Sequence, residues 1–258
     1  MKQIVLINLV FTLLLMAGCN DESSDDAATP SLVTLLTKAT TEMKADTHRL
    51  LVFGDASNNT CLLNHTFASG DALTVSAGSF RFVTLTDADC FQLPIAGTVD
   101  GISFDALLPL KSGIPLKEVL ASEPFDITYP GTTVYTATLK PATCLLRLLL
   151  SDAPEGLLFY LKNMSSGLSF SGIYPADIAT APYQVQPGVN ICLPTGVDAV
   201  LEYQTPDGTG EMGTVDLGMK LEAGYIYSAR LQWNEGNLFL KSEVGKWNEG
   251  DQISGEAS

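Results

Sequence analysis

The chain contains 258 residues, with 29 acidic side chains against 14 lysines and arginines, so its formal net charge is −15 at pH 7. A chain this acidic is not expected to bind nucleic acid or an anionic membrane surface through charge attraction. A hydrophobic content of 46 %, with 22 glycines and 13 prolines, indicates a folded protein rich in turns, and the length suits one large domain or two ordinary ones.

The first 18 residues have the pattern of a secretion signal. Lys2 supplies a positive charge, and the apolar stretch over residues 4–17 is shorter than the roughly 20 residues that a membrane-spanning helix needs. The stretch ends in Leu15-Met16-Ala17-Gly18-Cys19, which resembles the lipobox of bacterial lipoproteins, with methionine where that motif usually has leucine. An ordinary signal peptide or a short membrane helix is the alternative. We predict that residues 1–18 are removed and that Cys19 becomes the acylated N-terminus of an extracytoplasmic protein.

Residues 19–30 are predicted to form a flexible tether. Residues 20–26 read Asn-Asp-Glu-Ser-Ser-Asp-Asp, a polar and acidic run that cannot bury itself in a core. The run also resembles the acidic export signal that some Gram-negative anaerobes place behind the lipidated cysteine of surface-exposed lipoproteins. A plain solvated linker is the alternative.

From residue 48 onward, short apolar and alternating segments separated by turn residues predict an all-β protein with the strand spacing of β-sandwiches. Helical patterning is weak, and only residues 103–108 and 116–121 are predicted to form one or two helical turns each. The predicted strands are 48–53, 60–67, 79–85, 134–139, 144–150, 157–162, 188–193, 200–204, 212–217, 225–233 and 238–242.

An internal similarity suggests two sandwiches of related design. Residues 75–82 and 221–227 both contain an apolar residue, then Ala-Gly, then alternating aromatic residues. Glycine permits a tight turn there, and the aromatic side chains would share one face of the following strand. We therefore predict an N-terminal domain over 31–140 and a C-terminal domain over 141–258, with the boundary near Lys140-Pro141. Chance resemblance of two hairpins is the alternative.

Four further cysteines fall two in each predicted domain: Cys61 and Cys90, then Cys144 and Cys192. Export would permit disulfides, and four cysteines allow three connectivities. Any disulfides are expected within a domain, pairing Cys61 with Cys90 and Cys144 with Cys192. Buried free thiols are the alternative. No cysteine spacing supports a zinc site.

No catalytic arrangement is evident in the sequence. The two histidines, His48 and His65, lie in the first predicted hairpin and are interpreted as rim residues facing each other. Residues 167–172 miss the Gly-x-Ser-x-Gly spacing of serine hydrolases by one residue. The acidic pairs at 87 and 89 and at 207 and 211 are interpreted as turn residues rather than calcium ligands. We expect no enzymatic activity, no cofactor and no metal.

The C-terminal half resembles the fimbrillin-like proteins, which are type V pilins of anaerobic Gram-negative bacteria and include anchor and accessory subunits. The resemblance extends from about Leu50 to the C-terminus and consists of hydrophobic spacing with aromatic and glycine landmarks. These are Leu139-Lys140, the apolar strand to Leu150, Asp-Ala-Pro-Glu-Gly at 152–156, Gly-Ile-Tyr at 172–174, Leu221 with Ala-Gly-Tyr-x-Tyr at 223–227, Trp233-Asn234 and Trp247-Asn248.

The resemblance implies two transthyretin-like β-sandwich domains in tandem and assembly by strand donation, in which a groove in one subunit accepts a β-strand from the next pilin subunit. In stalk subunits of the family, a trypsin-like protease frees the groove by cutting after an arginine. Arg49 is the candidate here, because it follows the segment that would occupy the groove, residues 31–49. An ordinary strand-rim role for Arg49 is the alternative. An uncut chain would keep its lipid and act as an anchor or adhesin subunit.

The function expected from the sequence is therefore that of a fimbrial subunit or fimbrium-anchoring lipoprotein, lipid-anchored in the outer membrane at the cell surface and supporting adhesion to a target left open. A surface glycan- or nutrient-binding lipoprotein is the second interpretation. It would require an exposed aromatic platform, and Trp233 and Trp247, the two tryptophans, are expected to pack in the core instead. A secreted hydrolase is disfavoured because no nucleophile and base are paired.

Overall fold

The computed structural model describes residues 31–39, 48–54, 59–95, 102–129, 131–132, 134–175, 182–205, 212–241 and 245–248. The predicted signal peptide, the lipidation site at Cys19 and the tether over 19–30 lie outside these residues. Within them, no helix is long and apolar enough to cross a membrane.

The first half of the described chain forms strands and one short 3-10 turn. The strands are β1 (Ser31–Ala39), β2 (His48–Phe53), β3 (Cys61–Phe67), β4 (Ala72–Val75), β5 (Gly78–Thr86), β6 (Leu108–Pro109), β7 (Leu120–Ser122), β8 (Phe125–Tyr129) and β9 (Val134–Pro141), and the turn is Ala88–Cys90.

The second half is built from strands alone among the residues described. They are β10 (Cys144–Ser151), β11 (Leu158–Leu161), β12 (Gly167–Leu168), β13 (Tyr183–Val185), β14 (Gly188–Cys192), β15 (Val200–Gln204), β16 (Met212–Asp216), β17 (Tyr225–Asn234), β18 (Asn237–Leu240) and β19 (Gly245–Asn248).

The first sandwich has two layers, β4-β1-β9 and β3-β2-β5-β8, which β7 joins by pairing with both β5 and β9. Apolar side chains alternate with polar ones along the strands, so that one set points between the layers. The core consists of Val33, Leu35, Leu50, Val52, Phe67, Val75, Phe82, Leu120, Ile127, Tyr135, Ala137 and Leu139.

The second sandwich repeats this topology. Its layers are β14-β10-β17-β18, with β19 also on β17, and β13-β11-β15-β16. In each sandwich the first strand runs parallel to the strand that closes it, β1 beside β9 and β10 beside β17. The other strands correspond in order, with β2, β3, β4, β5 and β8 matching β11, β13, β14, β15 and β16. The prediction of two β-sandwiches in tandem is therefore confirmed.

The two similar segments that suggested related sandwiches do not occupy equivalent positions in the two sandwiches. Residues 75–82 join β4 to β5, whereas residues 221–227 lead into β17, which corresponds to β9. Gly78 and Gly224 both have positive φ, at 150° and 78°, so each supports a turn before an aromatic strand. A shared turn chemistry, and not a shared position in the fold, produced the similarity.

The buried cluster inside the second sandwich extends across the junction to the outer side of the first. Leu51, Phe53 and Val83, on the outer side of β2 and β5, belong to the same buried cluster as the interior of the second sandwich. The ring of Phe53 lies 5.2 Å from that of Phe170, and β6 pairs with β12 across the junction. β9 ends at Pro141 and β10 begins at Cys144, so the chain passes directly from one sandwich to the other.

The helical turns predicted at 103–108 and 116–121 are wrong. Residues 103–108 form a bridge, a turn and the start of β6, and residues 116–121 are extended and lead into β7. Leu116, Val119 and Leu120 have helix-like spacing, yet each is buried as part of an extended connection against the sheets. Packing along that connection decides its conformation, and the local spacing does not.

Candidate functional site

β1 occupies a slot between two other strands of the first sandwich. It pairs with β4 from Ser31 to Thr34 and with β9 from Thr34 to Ala39. The amide of Leu35 donates to the carbonyl of Asp71 at 2.8 Å, and the carbonyl of Leu35 accepts from Gly70 at 2.7 Å. Removing β1 would therefore leave unpaired backbone groups on both sides of an open groove.

Two side chains seat β1 in the core. Val33 and Leu35 are fully buried, with 0 % exposure, whereas Leu32 and Leu36 point away from the core. Strand geometry requires this alternation, because successive side chains lie on opposite faces. The groove thus receives apolar residues at two alternate positions, 33 and 35, and alternate side chains in pockets are the way that an added strand is recognised in β-augmentation.

A hydrogen-bonded tyrosine, Tyr135, lies beside this groove on β9, opposite Leu35 in the register. The hydroxyl of Tyr135 on β9 lies 3.2 Å from the hydroxyls of both Thr84 and Ser122, and the Thr84 amide donates to Ser122 at 2.9 Å. Burial raises the pKa of Tyr135, partly opposed by the two hydroxyl partners. This cluster ties β5, β7 and β9 together, and sequence reasoning missed it because its members are far apart in the chain.

His48 joins the end of β1 to the opposite layer. Its Nε2 lies 3.1 Å from the hydroxyl of Thr37, and its ring is 5.4 Å from Phe67. Burial lowers the pKa of His48, and Asp87 partly opposes this effect. The register pairs His48 with Phe67 and His65 with Leu50, so the expectation that the two histidines face each other is wrong.

Arg49 lies inside β2, where it pairs with Thr66 on one side and Leu85 on the other. Its guanidinium donates to the side chain of Asn64 at 3.3 Å. A protease must draw several residues around the scissile bond into its own active site, and a strand held on both sides resists this. The geometry favours the strand role of Arg49, and cleavage there stays a prediction.

The four predicted disulfide cysteines are present as buried free thiols. Burial raises the pKa of Cys61 to about 11 and that of Cys144 to about 12, so neither is a ready nucleophile. Burial also raises the pKa of Cys90 and Cys192. Cys144 and Cys192 are direct cross-strand partners on β10 and β14, with the Cys144 thiol donating to the Cys192 carbonyl at 3.4 Å.

The other sequence candidates do not come together as a reactive centre. Ser169 and Ser171, in the near-match to the hydrolase motif, have their hydroxyls 3.1 Å from each other. No group of three potential metal ligands occurs in the described part of the chain, which contains Asp87 and Asp89 but not positions 207 and 211.

The described tryptophan is packed against the core. Trp233 is partly buried and meets Tyr203 edge-on, with 5.7 Å between ring centroids, while the Tyr203 hydroxyl accepts from the amide of Leu238. Trp247 lies in β19, and its backbone pairs with that of Ile226 in β17. The side chain of Trp247 is outside the described structure.

Solved structures share this fold at low sequence identity. A proposed polysaccharide-binding protein from Bacteroides thetaiotaomicron is 12 % identical, with a TM-score of 0.58 over 86 % of this chain and 100 % of its own. A proposed adhesin from Bacteroides ovatus is 11 % identical, with a TM-score of 0.54 over 86 % and 96 %. The fimbrial anchor protein Mfa2 from Porphyromonas gingivalis is 11 % identical, with a TM-score of 0.53 over 85 % and 98 %. The sequence matches no protein-family model and no curated protein.

Proposed function

We propose that this chain is a surface-exposed fimbrial subunit or fimbrium-anchoring lipoprotein that joins other pilin subunits by β-strand exchange and supports cell adhesion. The observation that carries the proposal is the seat of β1. A terminal strand, held through Val33 and Leu35 between β4 and β9, fills a slot that an equivalent strand from another subunit would fit. The protein acts through protein contacts and not as an enzyme.

The structural neighbours support the proposal at the level of the fold. They include a fimbrial anchor protein and a proposed adhesin, each matched over nearly its whole length. Among the roles within a fimbrium, we favour the anchor or a lipid-retaining adhesin subunit. This preference follows from the position of Arg49 in a doubly paired strand, because an uncut chain keeps both β1 and its N-terminal lipid at Cys19.

Strand exchange is tested by deleting β1 while leaving β2 whole. A chain that begins at Thr40 should open the groove, and it should self-associate or bind a peptide with the sequence of residues 31–39. The chain from residue 20 should remain closed. Size-exclusion chromatography with light scattering compares the two. A peptide with asparagine at positions 33 and 35 is the matched control, and it should not bind.

The strand-exchange mechanism fails if the shortened chain is a stable monomer that binds neither peptide. It also fails if both peptides bind equally, because recognition would then not depend on the two buried side chains.

Lipid attachment requires a separate test. Metabolic labelling with a fatty acid should mark the protein in cells and should be lost in the Cys19→Ala variant. Labelling that persists in the variant would contradict the assignment of Cys19.

A glycan-binding role is the second candidate, favoured by the neighbour described as a proposed polysaccharide-binding protein. An aromatic platform for sugar rings would have to be exposed, whereas Trp233 packs edge-on against Tyr203. Soluble chain applied to a glycan array distinguishes the two candidates, and specific binding that survives deletion of β1 would favour this second function.

A further inference from the structure

The outer face of the β14-β10-β17-β18 sheet carries mainly apolar and cationic side chains. Alternation places three rows of outward residues side by side across these strands, with the partners fixed by the register. The rows are Ile191, Leu145 and Ile226, then Val189, Arg147 and Ser228, then Leu149, Arg230 and Lys241. Phe239 lies at the end of the face, beside Gln232. We name these residues the arginine face.

Several large apolar side chains of the arginine face are open to solvent. Val189 is 60 % exposed, Phe239 52 % and Leu149 42 %. Single exposed apolar residues are common on protein surfaces, but a contiguous group of them marks an interaction site more often than chance would give.

The cations of the face are unpaired within the described structure. Arg147, Arg230 and Lys241 make no side-chain hydrogen bond or ion pair with any described residue, whereas Arg81 is paired with Asp126 at 2.7 Å. No described position in the three rows carries a carboxylate. This is unusual in a chain with 29 acidic residues and 14 basic ones, in which a charged side chain is about twice as often acidic as basic.

The fold itself does not demand such a face. The corresponding strands of the first sandwich, β4-β1-β9, carry threonine and aliphatic side chains on their outer side, among them Thr34, Thr136, Thr138, Leu32 and Val134. Its two lysines, Lys38 and Lys140, lie at one end of that surface, and Lys140 is paired with Glu123. The arginines are therefore a property of the second sandwich and not of the shared topology.

We infer that the arginine face binds the acidic surface of a second copy of this chain. The charge of the molecule argues for that occupant, because each copy has 29 acidic residues to offer to three cations that have no partner among the described residues. Arginine is also among the residues that contribute most at protein interfaces, where its long side chain packs on apolar neighbours.

The contact cannot join two arginine faces, since like charges would then meet. It must be heterologous, with the arginine face of one copy on a different, acidic surface of the next, and such contacts continue into a ring or an open series. This contact uses side chains on a complete sheet. It is independent of strand exchange and does not require β1 to leave.

The test measures self-association of residues 20–258 with β1 in place. Sedimentation velocity should show a mass that rises with concentration beyond that of a dimer. The variant R147E/R230E should associate about tenfold or more weakly, because it replaces attraction by repulsion at the centre of the contact. The matched control is K38E/K220E, which makes the same change in net charge at two exposed lysines away from the face and should associate like the unchanged chain.

Mixing provides a second measurement. R147E/R230E keeps its acidic surface, so it should cap growing assemblies and lower the mean mass of the unchanged chain. Thermal unfolding checks that the exposed substitutions leave the fold intact, and K241E alone should give a smaller loss of association.

Three results would overturn the inference. The chain could remain monomeric at its highest soluble concentration, or the two double variants could behave alike. The unchanged chain could also remain monomeric and bind vesicles of an anionic phospholipid, with binding lost in R147E/R230E. That result would assign the arginine face to a membrane surface. None of these results concerns the strand-exchange mechanism, which is tested by deleting β1.

Discussion

The packing of β1 predicts that truncating two neighbouring leucines changes the free energy of unfolding by very different amounts. Leu35 is fully buried, and Leu36 is 37 % exposed on the other side of the same strand. We compare Leu35→Ala with Leu36→Ala. Both changes remove the same atoms from adjacent positions of one strand, so any loss of intrinsic strand preference is similar in the two variants and their difference reports burial.

The expected cost follows from the packing around each side chain. Leu35 lies in a closed apolar cluster, so truncation leaves a cavity and should lower the free energy of unfolding by about 2–5 kcal/mol. Leu36 makes fewer contacts and leaves no enclosed void, so its loss should be about 1 kcal/mol or less. Because the free energy of unfolding of a domain is typically only about 5–15 kcal/mol, the loss in Leu35→Ala would be a large fraction of it.

Urea unfolding, followed by tryptophan fluorescence, gives the two free energies. Limited trypsin cleavage after Lys38 gives a local reading, because this residue pairs with Thr138 in the sheet. If β1 opens locally, a cost of about 3 kcal/mol should raise the open population, and hence cleavage, by about 100-fold in Leu35→Ala. Equal costs for the two leucines, or faster cleavage in Leu36→Ala, would refute the proposed seating of β1.

Three further predictions test other parts of the fold. Gly167→Ala should lower the free energy of unfolding, measured by thermal unfolding, by about 1–3 kcal/mol, because the added methyl group overlaps the carbonyl of Leu108 between β12 and β6. Ser166→Ala, at an exposed neighbouring position, is the control and should leave the stability unchanged. In protein secreted under oxidising conditions, peptide mapping should find Cys144 joined to Cys192, a link that contributes about 2–4 kcal/mol, and recovery of four free thiols after denaturing alkylation would contradict it. Because burial lowers the pKa of His48, the unfolded chain takes up a proton first, so stability should fall as the pH drops below about 6.5, with a shallower slope in His48→Gln.

Strands with clear local patterning could be predicted from the sequence. The prediction of a strand over 200–204 coincides with β15, and that over 144–150 differs from β10 by one residue. Residues 200–204 alternate as a half-buried strand requires, and residues 144–150 form a short apolar run of strand length. Turn residues at their ends fixed the bounds, since glycine and proline interrupt regular pairing.

β1 was harder to recognise because both of its faces carry leucine. Leu32 and Leu36 interrupt the alternation that Val33 and Leu35 would otherwise show. The short strands β4 and β8 were missed because four or five residues contain too few repeats to establish a period. Family resemblance, and not local patterning, indicated that residues 31–49 fill a groove.

Contacts between distant segments could not be inferred from one sequence. The sequence shows Arg147 as an interruption in an apolar run, and only the register places it one row from Arg230 on the same surface. The Tyr135 cluster and the pairing of β6 with β12 have the same origin, because each joins residues separated by tens of positions.

The two sandwiches share a topology, yet their first strands are held differently, which bears on the proposed strand exchange. β10 follows β9 after two residues, so it is tethered to the first sandwich at one end and to β11 at the other. It also holds Cys144 opposite Cys192, where a disulfide would lock it to β14. β1 has no preceding strand among the described residues and no cysteine, and two buried side chains seat it. A strand bound in this way can be replaced by another of the same pattern at little cost, because the incoming strand restores the same hydrogen bonds and fills the same two positions. Under the proposed function, the first sandwich would serve for exchange, and the second, once Cys144 and Cys192 are joined, would keep its first strand fixed and present its outer face for the inferred contact.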